Sequence, residues 1–150
     1  INDLIQGVID SFKLQLDAKP SSVHTKFEAS PSEIWIDEEY FLHVLSNLID
    51  NAIKYAKSEI DITIITKTLS NKLFITIEDK GIGMTPDTVK HIFEKFYRAH
   101  AGNIHNVKGF GLGMSYVKWV IDLHKGTIHV TSELNKGTKV EISLPLIEPK

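Results

Sequence analysis

The sequence predicts an α/β fold: a two-layer sandwich in which helices cover one face of a mixed β-sheet of about five strands, with a short N-terminal hairpin and a flexible lid. Helical and strand periodicities alternate along the chain in the order α-ββ-α-ββ-α-α-ββ. The 150 residues are 42% hydrophobic and 24% charged, which suits one domain with one core. The stretch 97–110 combines glycines, histidines and asparagines without apolar periodicity, as lids do.

The first half of the chain contains two predicted helices separated by a predicted hairpin. Apolar residues at helical spacing predict a helix over 3–16. Two short β-prone runs, 23–27 and 33–36, flank a Ser-Pro-Ser turn and predict the hairpin. Asp37 is a good N-cap for a long helix that continues to about Ala56 and carries a broad apolar face.

The second half of the chain predicts two further hairpins with helices between them. Alternating apolar residues predict strands over 59–69 and 72–79, joined by a tight turn. The pair Thr85 and Pro86 is typical of a helix start and predicts a short helix to about Glu94. The elements expected after the lid segment are a helix over 112–124 and a hairpin of strands over 127–132 and 138–144.

Charge and composition exclude several classes of function. Lys and Arg number 17 against 19 Asp and Glu, a net charge of −2, so we expect no general electrostatic binding of nucleic acid or of an acidic membrane. Cysteine is absent, which excludes disulfides, thiolate metal sites and cysteine nucleophiles and favours a reducing, cytoplasmic location. No apolar run approaches the roughly 20 residues of a membrane helix, so we expect no direct membrane contact by this segment.

A polar stripe runs along the long predicted helix. Asn47 and Asn51 lie four residues apart, and Lys54 and Tyr55 follow on neighbouring stripes. An amide oxygen suits a magnesium ion that keeps several waters and takes its other oxygens from phosphates. Lys54 would then meet phosphate charge, and Tyr55 could cover a ribose or a base. The alternative is that both asparagines are ordinary amides on an exposed helix face.

A second motif, residues 79–84, comes directly after a predicted strand. Its carboxylate, Asp79, could accept a hydrogen bond from the exocyclic amine of adenine, while Gly81 and Gly83 let backbone approach the ring. Guanine presents a carbonyl at that position and would be repelled. The alternative is a turn in which the glycines serve backbone geometry alone.

Glycines at 109, 111 and 113 follow the lid segment and open a predicted helix. Backbone N–H groups at a helix N-terminus, with no Cβ in the way, can hold phosphates. A dinucleotide-binding fingerprint is the rival interpretation, but Met114 fills its last glycine position and a loop precedes the motif where a strand should. A P-loop sequence is absent from the chain.

The segment 93–98 places two phenylalanines, a tyrosine and two cations at the start of the lid. The aromatic side chains could anchor a hinge, and Arg98 could reach a γ-phosphate. The alternative is a helix end with its usual C-terminal cations.

The order of these motifs along the chain is more specific than any one of them. The chain carries N-x-x-x-N-A-x-K-Y, D-x-G-x-G-M, F-x-K-F-Y-R, G-x-G-L-G-M and G-T-K-V-E-I-S-L-P in succession. Over residues 35–145 it resembles the catalytic, ATP-binding domain of two-component sensor histidine kinases, members of the Bergerat-fold or GHKL superfamily. The resemblance implies the Bergerat α/β sandwich and the cofactors ATP and Mg²⁺.

The resemblance also implies site residues one by one. Asn51 corresponds to the magnesium-binding asparagine, Asp79 to the adenine-binding carboxylate, and Asn47, Lys54 and Arg98 to catalytic positions. The implied ATP-binding set is Asn47, Asn51, Lys54, Tyr55, Asp79, Gly81, Gly83, Met84, Phe96, Arg98, Lys108, Gly109, Phe110, Gly111, Leu112, Gly113 and Thr138.

Two positions depart from the family pattern. Asn135 stands where the last glycine-rich box of the family commonly has its first glycine. Among residues other than glycine, asparagine best tolerates a left-handed backbone conformation. Lys95 stands where arginine is frequent in the family. The compact ammonium of lysine cannot make the bidentate hydrogen bonds of an arginine guanidinium.

The resemblance implies transfer of the γ-phosphoryl group of ATP to a histidine on a separate helical dimerisation domain of the same parent kinase, upstream of a response regulator. It implies that 1–20 is the tail of a helical linker and that 21–150 is the catalytic ATP-binding domain, with a lid at about 84–110. None of the seven histidines has the sequence context of the acceptor. The resemblance allows the parent protein to have a membrane anchor outside this segment.

Two other functions remain as alternatives. ATP-hydrolysing members of the superfamily carry a glutamate base at position 47, and the amide of Asn47 cannot accept a proton. This favours phosphoryl transfer over a GHKL-type ATPase. The other alternative is a non-catalytic module in which the nucleotide only regulates partner binding.

Overall fold

The computed structural model describes residues 1–97 and 113–146, which form five helices and five strands. In chain order these are α1 (Asn2–Ser11), α2 (Lys13–Asp17), β1 (Ser21–Glu28), α3 (Glu38–Lys54), β2 (Ile60–Leu69), β3 (Lys72–Asp79), α4 (Pro86–His91), α5 (Gly113–Leu123), β4 (Thr127–Glu133) and β5 (Gly137–Pro145).

The strands form one mixed sheet in the order β1-β2-β3-β5-β4. Strand β1 runs parallel to β2, and the other neighbours are antiparallel. The turn between β2 and β3 is formed by Ser70 and Asn71, both with positive φ, the backbone that matches the twist of a two-residue hairpin. The predicted mixed sheet of about five strands is confirmed.

One face of the sheet is apolar and covered, and the other carries charge. Alternate residues of β2 and β3, such as Ile64 and Ile75, are buried against the helices. Their neighbours on the opposite face include the exposed Lys67 and Glu78. The period-two alternation therefore produces the predicted two-layer sandwich, with helices on one face.

Helix α3 is the centre of the helical layer. It begins where predicted, because the Asp37 carboxylate accepts a hydrogen bond from the Tyr40 N–H at 3.0 Å. The ring of His124, the residue after α5, also contacts the start of α3. Its Nε2 accepts a hydrogen bond from the Asp37 N–H at 3.0 Å, and its Nδ1–H donates to the Val120 carbonyl at 2.8 Å. Phe41 is fully buried and packs edge-on against the His124 ring. These contacts fix the start of α3 against the end of α5.

The predicted N-terminal hairpin is wrong. Strand β1 pairs with β2 in parallel, and residues 33–36 form no strand. The long α3 connection makes this parallel pairing possible, whereas a hairpin would join antiparallel neighbours. The side chains of Ile34 and Ile36 nevertheless pack against the core, where both are half-buried.

The first helix also differs from the prediction. A break at Phe12, with φ −95° and ψ 11°, divides the expected helix over 3–16 into α1 and α2. Helix α1 packs against α3 and buries Ile5, Val8 and Ile9 in the shared core. Helix α4 ends at His91, about one turn before the expected end. Among the described residues, no helix is both long enough and apolar enough to cross a membrane.

Candidate functional site

Four of the candidate residues, Asp79, Gly81, Gly83 and Thr138, meet where β3 ends and β5 begins, next to the end of α3. Asp79 and Thr138 are partners in the β3–β5 register. The loop after Asp79 reaches α3, because the Ile82 N–H donates to the Tyr55 carbonyl at 2.9 Å. The same loop meets the β4–β5 turn, where the Asn135 N–H donates to the Ile82 carbonyl at 2.7 Å. Three segments that are distant in sequence thus form one site.

Asp79 is a half-buried carboxylate. Its Oδ1 accepts from the Gly81 N–H at 2.8 Å, and the carboxyl also accepts from the Thr138 backbone N–H. Burial raises the pKa of Asp79 above its ordinary value, while these two hydrogen bonds act in the opposite direction and the nearby charge of Glu78 adds to the increase. The site therefore presents a hydrogen-bond acceptor that is partly shielded from water, where a hydrogen bond from a ligand is stronger than at an open surface.

Two glycines of the loop stand where a side chain has no room. A Cβ on Gly81 would lie 2.4 Å from the Tyr55 carbonyl oxygen, and one on Gly83 would lie 1.9 Å from the Glu133 carbonyl oxygen. Gly83 also has a φ of +68°, which L side chains rarely adopt. The glycines are thus required by the close approach of three backbone segments, which explains them without any ligand.

Helix α3 brings its polar stripe to the same end of the molecule. Asn47 and Asn51 are half-buried one turn apart. A Cβ on Gly113 would lie 3.8 Å from the Asn47 Oδ1, so α5 begins directly beside Asn47. Lys54, predicted to meet phosphate, forms an ion pair with Asp50 one turn earlier, with 2.7 Å between Nζ and Oδ2. A phosphate would therefore compete with Asp50 for this cation.

The donor set on α3 fits a magnesium ion held together with phosphates. The amide oxygens of Asn47 and Asn51 are neutral, hard ligands. In residues 1–97 and 113–146 no three His, Asp or Glu side chains gather as a metal cage would require. An ion here would take most of its charge compensation from a nucleotide.

The aromatic candidates follow helix α4. Phe96 has positive φ and its side chain is 72% exposed, while the Tyr97 ring lies 5.4 Å from the His91 ring. Met84 lies in the loop after Asp79, and its N–H donates to the Ser132 hydroxyl of β4 at 2.8 Å. Arg98, Lys108, Gly109, Phe110, Gly111 and Leu112 lie outside the described residues.

Sequence reasoning missed two residues that build the site. Ser132 contacts both the Asp79 loop and Thr138. The ammonium of Lys57 donates to the Asn135 carbonyl and ties the end of α3 to the β4–β5 turn. The hairpin register around Asn135 was the available signal for Ser132, since it pairs Ser132 with Thr138.

The fold belongs to a known class. The described chain superposes on the nucleotide-free catalytic domain of histidine kinase ThkA with a TM-score of 0.83 at 23% identity, covering 97% of this chain and 93% of that one. Full-length ShkA in complex with AMPPNP gives a TM-score of 0.83 at 21% identity over 98% of this chain and 30% of that one. The predicted α/β fold of histidine kinase catalytic domains is confirmed.

The chain belongs to the family described as histidine kinase-, DNA gyrase B- and HSP90-like ATPases, whose model matches residues 36–148. It is 47% identical over 149 residues to the sensor protein RprX of Bacteroides fragilis, covering 98% of this chain. The chain spans 29% of the length of that relative. The predicted family, an ATP-binding catalytic domain of the sensor histidine kinase type, is confirmed.

Proposed function

We propose that this domain binds Mg-ATP and transfers the γ-phosphoryl group to a histidine on a separate helical dimerisation domain of the same parent kinase. The observation that carries the proposal is the half-buried Asp79 carboxylate, held at a strand end by hydrogen bonds from the Gly81 and Thr138 N–H groups in a domain of this family. The similarity to RprX, a sensor protein, and to ShkA, which binds the ATP analogue AMPPNP, supports it.

Adenine recognition would rest on Asp79. Its carboxylate accepts a hydrogen bond from the exocyclic amine, and a buried acceptor discriminates strongly against a base that presents a carbonyl there. The close approach at Gly81 and Gly83 keeps the loop backbone in place beside it. Tyr55, Met84, Phe96 and Thr138 complete the proposed base and ribose contacts.

The phosphates would lie toward α3 and the start of α5. Asn51 would hold Mg²⁺ through its amide oxygen, and the ion would neutralise phosphate charge in the transition state. Asn47, one turn before it, would contact the nucleotide. Lys54 and Arg98 would bring cationic charge to the γ-phosphate. Residues 108–113, of which only Gly113 is described, would supply backbone N–H groups, and Gly113 lies beside Asn47.

Asn47 favours transfer to a protein acceptor over hydrolysis. An amide cannot take a proton from water, so this position offers no general base. Phosphoryl transfer itself needs positioning and electrostatic stabilisation more than covalent chemistry from the domain. Measurable phosphate release without an acceptor would instead indicate an ATPase.

The proposal also concerns the parent protein. We assign 1–20 to the end of a helical linker that enters this domain and 21–150 to the catalytic domain. The helical dimerisation domain would be the direct partner, and a response regulator would receive the phosphoryl group downstream. A cytoplasmic location agrees with the use of ATP and with the absence of cysteine.

Calorimetry with AMPPNP and Mg²⁺ tests the adenine assignment. Asp79→Asn should weaken binding by about ten- to hundredfold, the value of hydrogen bonds to a charged acceptor. Glu78→Gln is the matched control, because it removes the neighbouring carboxylate on the exposed face of the same strand. Equal affinity of the wild type and Asp79→Asn would overturn the assignment.

Phosphoryl transfer needs a second experiment. The domain is mixed with a cognate helical domain and labelled ATP, and phosphohistidine is detected by its acid lability. The expected result is transfer to that domain and none to the catalytic domain alone. Binding of ATP without transfer would favour the regulatory module.

A further inference from the structure

Three side chains form a row across the ends of neighbouring strands. Thr138 of β5 pairs with Asp79 of β3 on one side and with Ser132 of β4 on the other. All three have the same parity as buried residues of their own strands, Val130, Val140 and Ile77. They therefore lie on the helix-covered face of the sheet, next to one another.

The Ser132 hydroxyl uses its full capacity to donate and accept hydrogen bonds. Its Oγ lies 2.8 Å from each of three groups: the Met84 N–H, the Gly137 carbonyl oxygen and the Thr138 Oγ1. A hydroxyl has one hydrogen to donate and two lone pairs. The carbonyl can only accept, so it receives the Ser132 hydrogen, and the Met84 N–H takes one lone pair.

These two hydrogen bonds of Ser132 determine which hydroxyl is the donor in its contact with Thr138. The Ser132 hydrogen is already donated to Gly137, so the Thr138 hydroxyl must donate its own hydrogen to the second lone pair of Ser132. Thr138 Oγ1 is then left with lone pairs only. It is an acceptor on a residue whose backbone N–H already contacts the Asp79 carboxyl.

We propose that Ser132 is a positioning residue that determines base specificity by holding Thr138 as a hydrogen-bond acceptor beside Asp79. The inference rests on the proposed adenine site and extends it. Two adjacent acceptors favour a base with an amino group at purine position 6 and disfavour one with a carbonyl there. Through the Met84 N–H, Ser132 also holds the end of the loop that begins at Asp79.

The test compares ATP with ITP, whose base has a carbonyl in place of the 6-amino group. Affinities are measured by competition against a fluorescent ATP analogue for the wild type, Ser132→Ala and Ser132→Thr. In Ser132→Ala the Thr138 hydroxyl is free to donate, so the preference for ATP over ITP should narrow by about three- to tenfold. Ser132→Thr keeps a hydroxyl and should retain the preference.

A merely structural role makes a different prediction. If Ser132 only supports the fold, Ser132→Ala lowers both affinities by the same factor, and that result overturns the inference. Thr131→Ala, on the exposed face of the same strand, is the control for loss of a β4 hydroxyl. Should Ser132→Ala fail to fold, Thr138→Val removes the acceptor itself and must narrow the preference; an unchanged ratio there also overturns the inference.

The Asp79→Asn variant separates this inference from the proposed function. If Asp79→Asn leaves the ratio of ATP to ITP affinity unchanged, the adenine site itself is wrong. If Asp79→Asn reduces the ratio while Ser132→Ala keeps it, the adenine site stands and only the role of Ser132 fails.

Discussion

Gly137 lies directly against the backbone of Asp79: a Cβ on Gly137 would be 1.9 Å from the Asp79 carbonyl oxygen. Gly137 also has a φ of +118°, a backbone conformation open mainly to glycine. The β4–β5 turn and the candidate base-binding carboxylate therefore depend on each other for their positions.

The first prediction follows from this contact. Gly137→Ala should lower the free energy of unfolding by at least about 2 kcal/mol, because it combines backbone strain with a clash against main chain. Urea unfolding measures the change. Nucleotide affinity should fall as well, since the turn also bonds the loop after Asp79.

Gly7→Ala is the matched control. Gly7 lies within α1, and a Cβ at this position would have no neighbouring atom within 4 Å. Alanine there should raise the stability by up to about 1 kcal/mol through helix propensity. A Gly137→Ala variant as stable as the wild type would contradict the close packing.

The second prediction concerns the pH dependence of stability. Burial raises the pKa of Asp79 in the folded state above its ordinary value of 3.8, so the native state binds the proton more tightly than the unfolded state. Unfolding free energy then falls as pH rises, and the cost is complete above the folded-state pKa and absent below the unfolded value. Asp79→Asn carries no titrating group and escapes this cost.

Unfolding in urea at several values between about pH 3.5 and pH 7 checks the sign. The stability of Asp79→Asn relative to the wild type should become more favourable as pH rises. A relative stability that is independent of pH, or that declines, would show that burial does not control this carboxyl.

The third prediction concerns the ion pair of Lys54 with Asp50. Asp50→Asn should raise the affinity for ATP by about two- to fivefold at low salt, because it frees the Lys54 ammonium and removes a negative charge. The stability should change by no more than about 1 kcal/mol, since the pair is partly exposed. Calorimetry at low and high salt measures the affinity, and urea unfolding measures the stability.

Asp122→Asn is the control for Asp50→Asn. It breaks the same kind of pair, Lys118 with Asp122 four residues apart on α5. We expect no gain in ATP affinity there. A gain of equal size in both variants would mean that net charge alone, without Lys54, governs nucleotide binding.

The fourth prediction concerns the metal. Asn51→Ala should weaken AMPPNP binding in Mg²⁺ by about tenfold, comparable to the loss of one contact to a charged group. In EDTA the wild type and the variant should bind the analogue alike. A difference that persists in EDTA would assign Asn51 to the nucleotide itself.

Local patterns were sufficient for most elements. Helix α3 was predictable because its apolar residues recur at helical spacing and Asp37 supplies a local cap. The β2–β3 hairpin was predictable because alternation and a short turn are both local. The candidate positions Asn47, Asn51 and Asp79 were likewise recognisable from their spacing and order.

Pairing between distant segments was not predictable in the same way. Residues 23–27 and 33–36 were both predicted to be strands. Only 23–27 pair with β2, and they form part of β1. The break at Phe12 was not predictable either, because the apolar periodicity of 3–16 continues through it.

The sequence by itself determined most of the elements from α3 onward, the family of the protein and the residue types available for chemistry. Only the tertiary structure decided that 23–27 pair with β2 in parallel and that Ser132, Thr138 and Asp79 form one row. The physical reason is that periodicity and capping act over a few residues, whereas strand register and side-chain hydrogen bonds join residues far apart in the chain.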